Sequence, residues 1–172
     1  MICNPGPDHK DDVNRLNEPP ITMLPEKGVY TIILHVKRSL RIHVGSLGIV
    51  GIKRGFYAYT GSGLGRGALS LRGRLLRHLR KDKKLRWHID YLTSLPTVKV
   101  VGVVASRAEK ELECIVASRL GKSFRCIEGF GSSDCSCTSH LALLACKSWD
   151  ECLIYVENVY KKLGLVPVSM RL

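Results

Sequence analysis

The chain has 172 residues, enough for one domain with a buried core but short for two independent domains. Hydrophobic residues make up 45% of it, yet no apolar run approaches the roughly 20 residues that cross a bilayer, which argues against a membrane protein. Lysine and arginine total 27 against 15 acidic residues, and the net charge of +12 favours a polyanionic partner. By itself this charge would suit nucleic acid, ribosomal RNA or an anionic membrane, so the positions of the cations matter.

The first 27 residues carry Asn, Asp, Pro and Lys without an apolar period, and we expect a mobile N-terminal tail there. This stretch lacks the apolar centre of a secretory signal. The seven cysteines are an odd number for a disulfide framework. We therefore expect reduced thiols and a cytoplasmic location.

Three segments then read as strands of a small, mainly antiparallel sheet. Gly28–Val36 is rich in β-branched residues, 40–44 alternates as LRIHV, and 55–60 reads GFYAYT. Glycines at 45, 48 and 51 interrupt the chain between the last two segments and predict a hairpin. A fourth segment, 98–105, is nearly continuous β-branched sequence and predicts a central strand.

A glycine-rich turn, 61–67, precedes a predicted helix over 68–81, in which apolar residues recur at helical spacing. Arg74 and His78 lie four residues apart, so the helix presents them one turn from each other. The segment LRWHIDYL at 85–92 has helical spacing too. Core packing explains its Trp and Tyr at least as well as catalysis does, and His88 is a minor candidate for a site.

Cations concentrate between residues 66 and 86, where Asp82 is the only acidic residue. Such side chains along a helix can contact successive phosphates, which predicts a nucleic-acid surface. The alternative is a solvated helix face. The residues of this predicted surface are Arg66, Arg72, Arg77, Arg80, Lys83, Lys84 and Arg86.

Two Ser-x-x-Glu patterns predict helix starts, because each residue of such a pair can satisfy backbone donors. Ser106 with Glu109 predicts a helix over 107–120, and Ser148 with Glu151 predicts a C-terminal helix with an apolar stripe. Glutamates 109, 111 and 113 lie on the flanks of the first helix and could face a cleft. Periodicity alone does not choose among these carboxylates.

The segment between the two helices, 129–140, is loop-like by composition and reads GFGSSDCSCTSH. Cys135, Cys137 and His140 offer thiolate and imidazole ligands for a structural zinc ion, with Cys126 or Cys146 as a fourth. The spacing is not that of a standard ribbon or finger. We favour the alternative, a loop packed by its cysteines without metal.

Two tripeptides, Gly28-Val29-Tyr30 and Tyr59-Thr60-Gly61, resemble the motifs that name the GIY-YIG nuclease superfamily. Arg74, His78 and Glu113 follow in the order of that family, and RWHID and GFGSSDCSCTSH resemble its Uri-like branch of small stand-alone proteins. The resemblance covers about residues 28–120. A longer segment between the two tripeptides and the lack of an asparagine after the glutamate are departures from the family pattern.

The resemblance implies an α/β domain of the α+β type over 28–120, with a C-terminal extension over 121–172 packed on it. It also implies a metal-dependent endonuclease, a hydrolase of phosphodiester bonds in DNA rather than RNA. Its catalytic residues would be Tyr30, Tyr59, Arg74, His78 and Glu113. Glu113 would bind Mg²⁺ or Mn²⁺, and Arg74 would stabilise the phosphoryl group. A non-catalytic DNA- or RNA-binding module on the same fold is the alternative.

Overall fold

A computed structural model describes residues 21–122 and 125–172, and it confirms an α+β fold with a central antiparallel sheet. The helices are α1 (Leu71–Leu79), α2 (His88–Thr93), α3 (Glu113–Gly121) and α4 (Trp149–Lys162). The strands are β1 (Gly28–Val36), β2 (Leu40–His43), β3 (Ile49–Ile52), β4 (Gly55–Gly63), β5 (Val98–Arg107), β6 (Arg125–Cys126), β7 (Leu141–Leu144) and β8 (Val168–Arg171). No helix in the described ranges is long and apolar enough to cross a bilayer.

The main sheet has six strands in the order β6-β7-β4-β1-β5-β8, and every pair in it is antiparallel. Strand β1 lies between β4 and β5 and pairs with each of them along its whole length. Strands β2 and β3 form the predicted hairpin as a separate two-stranded ribbon. The sheet thus places the two predicted tyrosines on neighbouring strands.

Side chains of β1 alternate between two apolar layers, one on each face of the sheet. Tyr30, Ile32 and Leu34 pack with α1, α2 and the ribbon, whereas Val29 and Ile33 pack with α3 and α4. Almost every position of β1 is buried, which is the burial expected of a central strand covered on both faces. The helices of the two layers can therefore reach the same end of the sheet from opposite sides.

Helix α1 is shorter than the predicted 68–81 because Ser70 caps it. The Ser70 hydroxyl accepts a hydrogen bond from the Gly73 N–H at 3.1 Å, which satisfies a donor of the first turn. The residues before it, Gly67–Leu69, form a separate 3-10 turn. This turn begins with a positive φ of 54° at Gly67, a conformation that favours glycine.

The helix predicted over 107–120 is wrong at its start. Strand β5 continues to Arg107, since Ser106 and Arg107 pair with the first two residues of β1, and α3 begins only at Glu113. The backbone of Ser106 is committed to the sheet, so its side chain cannot cap a helix there. Glu109 instead forms an exposed ion pair with Arg107 at 3.2 Å.

The C-terminal helix is confirmed, and its cap differs in detail from the predicted box. The Ser148 hydroxyl accepts from the Glu151 N–H at 3.2 Å, whereas the Glu151 carboxylate accepts from the Lys147 N–H. The sequence did not predict β7 and β8. Because these strands lie on both sides of the β4-β1-β5 core, residues after 120 belong to the sheet itself.

Part of the predicted tail is ordered, although residues 1–20 lie outside the described ranges. Leu24 is fully buried, and the Glu26 carbonyl accepts a hydrogen bond from the Leu71 N–H at 2.8 Å. The Arg72 guanidinium donates to the carbonyls of Thr22 and Leu24, also at 2.8 Å. These contacts hold 21–27 against the start of α1, so the tail prediction is wrong for these residues.

Candidate active site and an adjacent thiol cluster

A cavity of about 200 Å³ lies where β4 extends beyond its ladder with β7, which ends at Tyr59. Residues from both apolar layers reach this edge of the sheet. The loop 129–140 forms another part of the wall. The lining residues are Tyr30, Tyr59, Gly61, Ser62, Arg74, Arg86, Trp87, His88, Glu113, Gly131, Ser133, Asp134 and His140.

Four of the five predicted catalytic residues line this cavity. Tyr30 and Tyr59 come from β1 and β4, Arg74 from α1, and Glu113 is the first residue of α3. The fifth, His78, lies behind them, buried, with its Nε2 atom 2.8 Å from the Tyr30 hydroxyl. The structure brings the five together, and their catalytic roles stay predictions.

Tyr30 and His78 form a buried pair, each about 1% exposed. Burial, followed by the charge of Lys83, lowers the pKa of His78 to about 3, so its imidazole is neutral at physiological pH. The hydrogen bond joins the neutral ring at Nε2 to the Tyr30 hydroxyl, and the tautomer of the imidazole sets which of the two donates. Burial also raises the pKa of Tyr30, although the Arg74 cation opposes the increase. The pair is thus a neutral phenol and a neutral imidazole.

Two small details of the sheet fix the tyrosines. Gly61 pairs with Tyr30 across β1 and β4, and a Cβ atom at this position would lie 2.8 Å from the Tyr30 hydroxyl oxygen. Tyr59 packs edge-on against His78 and against Phe130 of the loop, with ring centroids 6.0 and 6.3 Å apart. Burial and the neighbouring Tyr30 raise the pKa of Tyr59. Both hydroxyls therefore remain protonated without a further cation.

Arg74 lies in the cavity wall with unused hydrogen-bonding capacity. Its guanidinium carbon is 5.1 Å from the centroid of the Trp87 ring, and Arg77 lies 4.9 Å from the same centroid. The Arg74 Nε atom is buried and has no hydrogen-bond partner within the described residues. A cation supported by an aromatic ring and short of acceptors suits an anionic ligand.

Glu113 is half-buried and accepts a hydrogen bond from the Ser62 hydroxyl through Oε2. Glu111, the alternative that periodicity left open, is exposed, precedes α3 and does not line the cavity. Asp134 is a second carboxylate in the same wall. These oxygen donors match the preference of Mg²⁺ and Mn²⁺ for carboxylates and water.

Three of the seven predicted phosphate-binding cations are engaged inside the protein. Arg72 holds the segment 21–27, as described above. Arg77 donates to the buried Asp90 carboxylate at 2.7 Å, and Lys83, only 3% exposed, donates to the Thr93 hydroxyl and lies 3.9 Å from Asp90. Arg72 thus holds the segment 21–27, and Arg77 and Lys83 hold α1 against α2, so the main contacts of all three are structural ones that the sequence did not predict.

The other four cations, Arg66, Arg80, Lys84 and Arg86, are exposed, and Arg86 lines the cavity. Sequence reasoning missed a further basic group on the ribbon, where residues 37–54 contain no acidic residue. Most apolar residues of the ribbon pack against the core, whereas its basic residues are exposed. Its exposed cations are Lys37, Arg38, Arg41, Lys53 and Arg54.

Beside the cavity, Cys114, Cys135, Cys137 and His140 place one ligand atom each within 4.8 Å of all the others, so they could hold a metal ion. The His140 Nε2 atom lies 3.4 Å from the Cys135 sulfur and 3.8 Å from the Cys114 sulfur. The predicted fourth ligand, Cys126 or Cys146, is wrong. Burial and the adjacent thiols raise the pKa of Cys114 in the absence of an ion.

The sequence contains little signal for the residues that were missed. Cys114 lies 21 positions before Cys135, and only the packing of α3 against the loop brings them together. Ser62, the partner of Glu113, belongs to a glycine-rich stretch read as a flexible turn. His140 was considered as a metal ligand alone, and it also lines the cavity. The six described cysteines form no disulfide.

Comparison with known proteins corrects the family expected from the sequence. The model of one family, described as Domain of unknown function DUF123, matches residues 29–165, and no GIY-YIG family matches. The tripeptides that suggested a GIY-YIG nuclease of the Uri-like branch are short strand segments of low specificity, and that recognition is wrong. No curated protein and no solved structure matches the chain. The chain belongs to the DUF123 family, whose function is unknown.

Proposed function

We propose that the protein is a metal-dependent endonuclease that hydrolyses phosphodiester bonds in DNA. The observation that carries the proposal is the convergence of Tyr30, Tyr59, Arg74 and Glu113 on one solvent-accessible cavity. Phosphodiester hydrolysis needs an oriented water, cations for the phosphoryl oxygens and help for the leaving oxygen. The cavity combines groups suited to the first two tasks.

Glu113 is the proposed ligand of Mg²⁺ or Mn²⁺, which would supply Lewis-acid stabilisation of the phosphoryl oxygens when bound. One carboxylate is enough in such sites, because Mg²⁺ keeps several waters and the substrate phosphate supplies a further oxygen. The Ser62 hydroxyl orients the carboxylate through Oε2. Asp134, in the same wall, can accept a hydrogen bond from a metal-bound water or supply a second oxygen ligand to the metal.

The protein's own residues would bind and orient the reacting groups. Arg74 can donate hydrogen bonds to the phosphoryl oxygens, since its buried Nε atom has no acceptor within the described residues. The Tyr30 hydroxyl forms hydrogen bonds with His78 Nε2 and with Arg74, which fix its oxygen in the cavity wall, where it can orient the attacking water. His78, with a pKa of about 3, positions Tyr30 and does not store the proton. Tyr59 can donate to a phosphate oxygen.

Exposed cations, one of them in the cavity wall, would bind the nucleic-acid backbone. Arg86 lies in the cavity wall, and Arg66, Arg80 and Lys84 are exposed on α1 and its flanking segments. The cations of the β2–β3 ribbon extend this basic surface. These contacts carry no base specificity, so the proposed enzyme recognises backbone geometry.

The same proposal assigns Zn²⁺ to the thiol cluster. Three thiolates and one imidazole are soft ligands, which favour Zn²⁺ over Mg²⁺ in a tetrahedral structural site. A reducing compartment such as the cytoplasm, our proposed location, would keep the thiols available. Elemental analysis of the purified protein should find one zinc ion per chain.

The test of the activity is cleavage of labelled linear, nicked and branched DNA, with RNA of the same sequence in parallel. Mg²⁺ or Mn²⁺ should support cleavage, and chelation should abolish it. Glu113→Gln should lower the rate at least about 100-fold, because it removes the metal's carboxylate. Glu111→Gln, outside the cavity, is the matched control.

DNA binding, measured on the same proteins, separates the proposed enzyme from a non-catalytic module. Glu113→Gln should bind DNA at least as tightly as the natural chain, since it removes a negative charge from the cavity. Tight binding without cleavage of any substrate would reject the enzyme and leave the binding module.

A further inference from the structure

We propose that the ion in the Cys114, Cys135, Cys137 and His140 cluster positions the active site, by fixing Glu113 and the loop 129–140 to each other. The inference rests on the proposed function for its catalytic consequence, and on the cluster itself for its structural one. According to this inference, Mg²⁺-dependent cleavage requires the zinc ion, although the zinc ion itself does not contact the reacting phosphate.

The first support is the place of Cys114 in the chain. It follows Glu113 directly, in the first turn of α3, so the backbone that carries the carboxylate also carries a metal ligand. The helix start has no side-chain cap, since Leu112 stands at the N-cap position. Coordination through Cys114 would therefore provide the restraint that a capping side chain gives to other helices.

The second support is the loop, which contributes three of the four ligands. Residues 129–140 contain neither helix nor strand, yet Gly131, Ser133 and Asp134 form part of the cavity wall. Phe130 anchors one end of the loop in the core, and His140 the other, where its carbonyl accepts from the Thr60 N–H. Ligation of Cys135 and Cys137 would fix the exposed middle of the loop between these anchors.

The third support is the spacing of the ligand atoms. With zinc-to-ligand lengths of about 2.3 Å for sulfur and about 2.0–2.1 Å for nitrogen, a tetrahedron separates S and N by about 3.6 Å. His140 Nε2 lies 3.4 and 3.8 Å from two sulfurs of the cluster. These two distances already match a tetrahedral ion, and every other pair of ligand atoms lies within 4.8 Å.

His140 joins the two sites physically. Its side chain supplies a cluster ligand and lines the cavity, next to Gly131, whose added Cβ would lie 3.1 Å from the His140 Cβ. Ligands of metal ions owe their orientation to such neighbours, and loss of an outer contact typically weakens function about 10–100-fold. Here we expect the effect to run from the metal to its neighbours: loss of the zinc ion should weaken the positioning of Glu113.

The test compares the full-length natural chain with Cys114→Ser and with the control Cys146→Ser, a half-buried thiol outside the cluster. Zinc content, the absorption of the Co²⁺-substituted protein, and hydrogen exchange are measured on each. The natural chain and the control should hold one ion with thiolate-to-cobalt bands. Cys114→Ser should lose it, exchange faster at 113–117 and 129–140, and cleave DNA at least about 10-fold more slowly at saturating Mg²⁺.

Reversible chelation of the natural chain is the second test, and it needs no substitution in the cluster. Removing zinc should speed exchange in these two segments while β1, β4 and β5 stay protected, and zinc should restore both. Reduced protein supplied with zinc that binds no stoichiometric ion would overturn the inference. So would zinc loss that leaves exchange at 113–117 unchanged. If zinc controls exchange but no DNA is cut, only the nuclease proposal fails.

Discussion

The Tyr30 hydroxyl has close neighbours on two sides that restrict its position. His78 Nε2 forms a hydrogen bond with it at 2.8 Å, and Gly61 leaves the space that a side chain would fill. The backbone of Gly61 has no positive φ, so the requirement for glycine here comes from close approach. A substitution at Gly61 can thus move the Tyr30 hydroxyl oxygen while Tyr30 itself stays unchanged.

Gly61→Ala should displace the Tyr30 hydroxyl and lower the cleavage rate at least about 10-fold, because misplacement of a reacting group by 1 Å can cost about 100-fold. The strand should survive, with a loss of about 1–3 kcal/mol in the free energy of unfolding. Gly51→Ala is the control, since its Cβ would have open space around it. Equal activity of the two variants would remove Tyr30 from the mechanism.

His78 also predicts a dependence of stability on pH. Its pKa is about 3 in the folded protein against an ordinary 6.5, so the unfolded chain binds the extra proton between these values. Stability is therefore complete above about pH 6.5 and falls as the pH decreases, by up to about 1.4 kcal/mol per pH unit from this residue.

His78→Gln should make the fall in unfolding free energy with decreasing pH less steep, as measured by urea titrations from neutral pH to about pH 4. The glutamine can still accept from Tyr30. His43→Gln, at an exposed position of the ribbon, should leave the slope unchanged. A slope that is equal in all three proteins would mean that the fold does not lower the pKa of His78.

At the scale of elements, Asp90 connects α1 to α2. Burial would raise its pKa, but the hydrogen bond from Arg77 and those from the Trp87 and Arg86 N–H groups outweigh this effect and lower it. The carboxylate is fully buried and caps α2 through these N–H groups. It also compensates the charge of Lys83, which is nearly buried.

Asp90→Ala should destabilise the protein by about 3–5 kcal/mol, because it leaves the cations of Arg77 and Lys83 without a counter-charge. Glu109→Ala removes an ion pair whose side chains are 82% and 73% exposed, and should change stability by less than about 1 kcal/mol. Urea unfolding measures both. Similar losses would show that the buried carboxylate contributes no more than a surface one.

The two Ser-x-x-Glu patterns show what the sequence predicts well at this scale. Ser148 caps α4 as expected, whereas Ser106 lies inside β5, although the local patterns are the same. The difference is tertiary, since the register of β1 extends to Arg107 and commits the Ser106 backbone to the sheet. Strand β1 could be predicted to the residue because its apolar run is continuous and bounded at both ends. The short strands β7 and β8 have too few residues for a clear pattern.

At the scale of the whole molecule, the positive charge is unevenly divided between structural and exposed positions. Arg72, Arg77 and Lys83 stabilise the fold, and Arg66, Arg80, Lys84 and Arg86 remain exposed, with Arg86 in the cavity wall. Composition alone could not separate these groups, since the chemistry of the side chains is identical. Only the exposed group can release counterions from DNA.

Lys84→Gln should lower the salt dependence of DNA affinity by about one unit of the logarithmic slope, as expected for one lost phosphate contact. Lys162→Gln, at the end of α4 on the other face of the sheet, should leave the slope unchanged. Fluorescence anisotropy across a range of salt concentrations measures both. A larger effect at Lys162 would place the DNA on the opposite face.

The candidate site residues were proposed from the family resemblance, since periodicity left the choice among the glutamates open. The structure places Tyr30, Tyr59, Arg74 and Glu113 around one cavity, and their catalytic roles stay predictions. The family resemblance was wrong, because two tripeptides are too short to identify a family, and aromatic and β-branched residues are common in strands of many folds. Cys114 could not be proposed as a ligand, since its distance in sequence from Cys135 contains no signal.

The cavity lies where the two separately packed halves of the interior meet around a strand end. Tyr30 and Tyr59 belong to one half, and Glu113 stands at the start of a helix from the other. The distance between the tyrosines and Glu113 therefore depends on how the two halves of the interior pack against the sheet. Substitutions deep in either half, far from the cavity, can change the distance between these groups. We therefore expect core substitutions that lower the melting temperature to lower the catalytic rate as well.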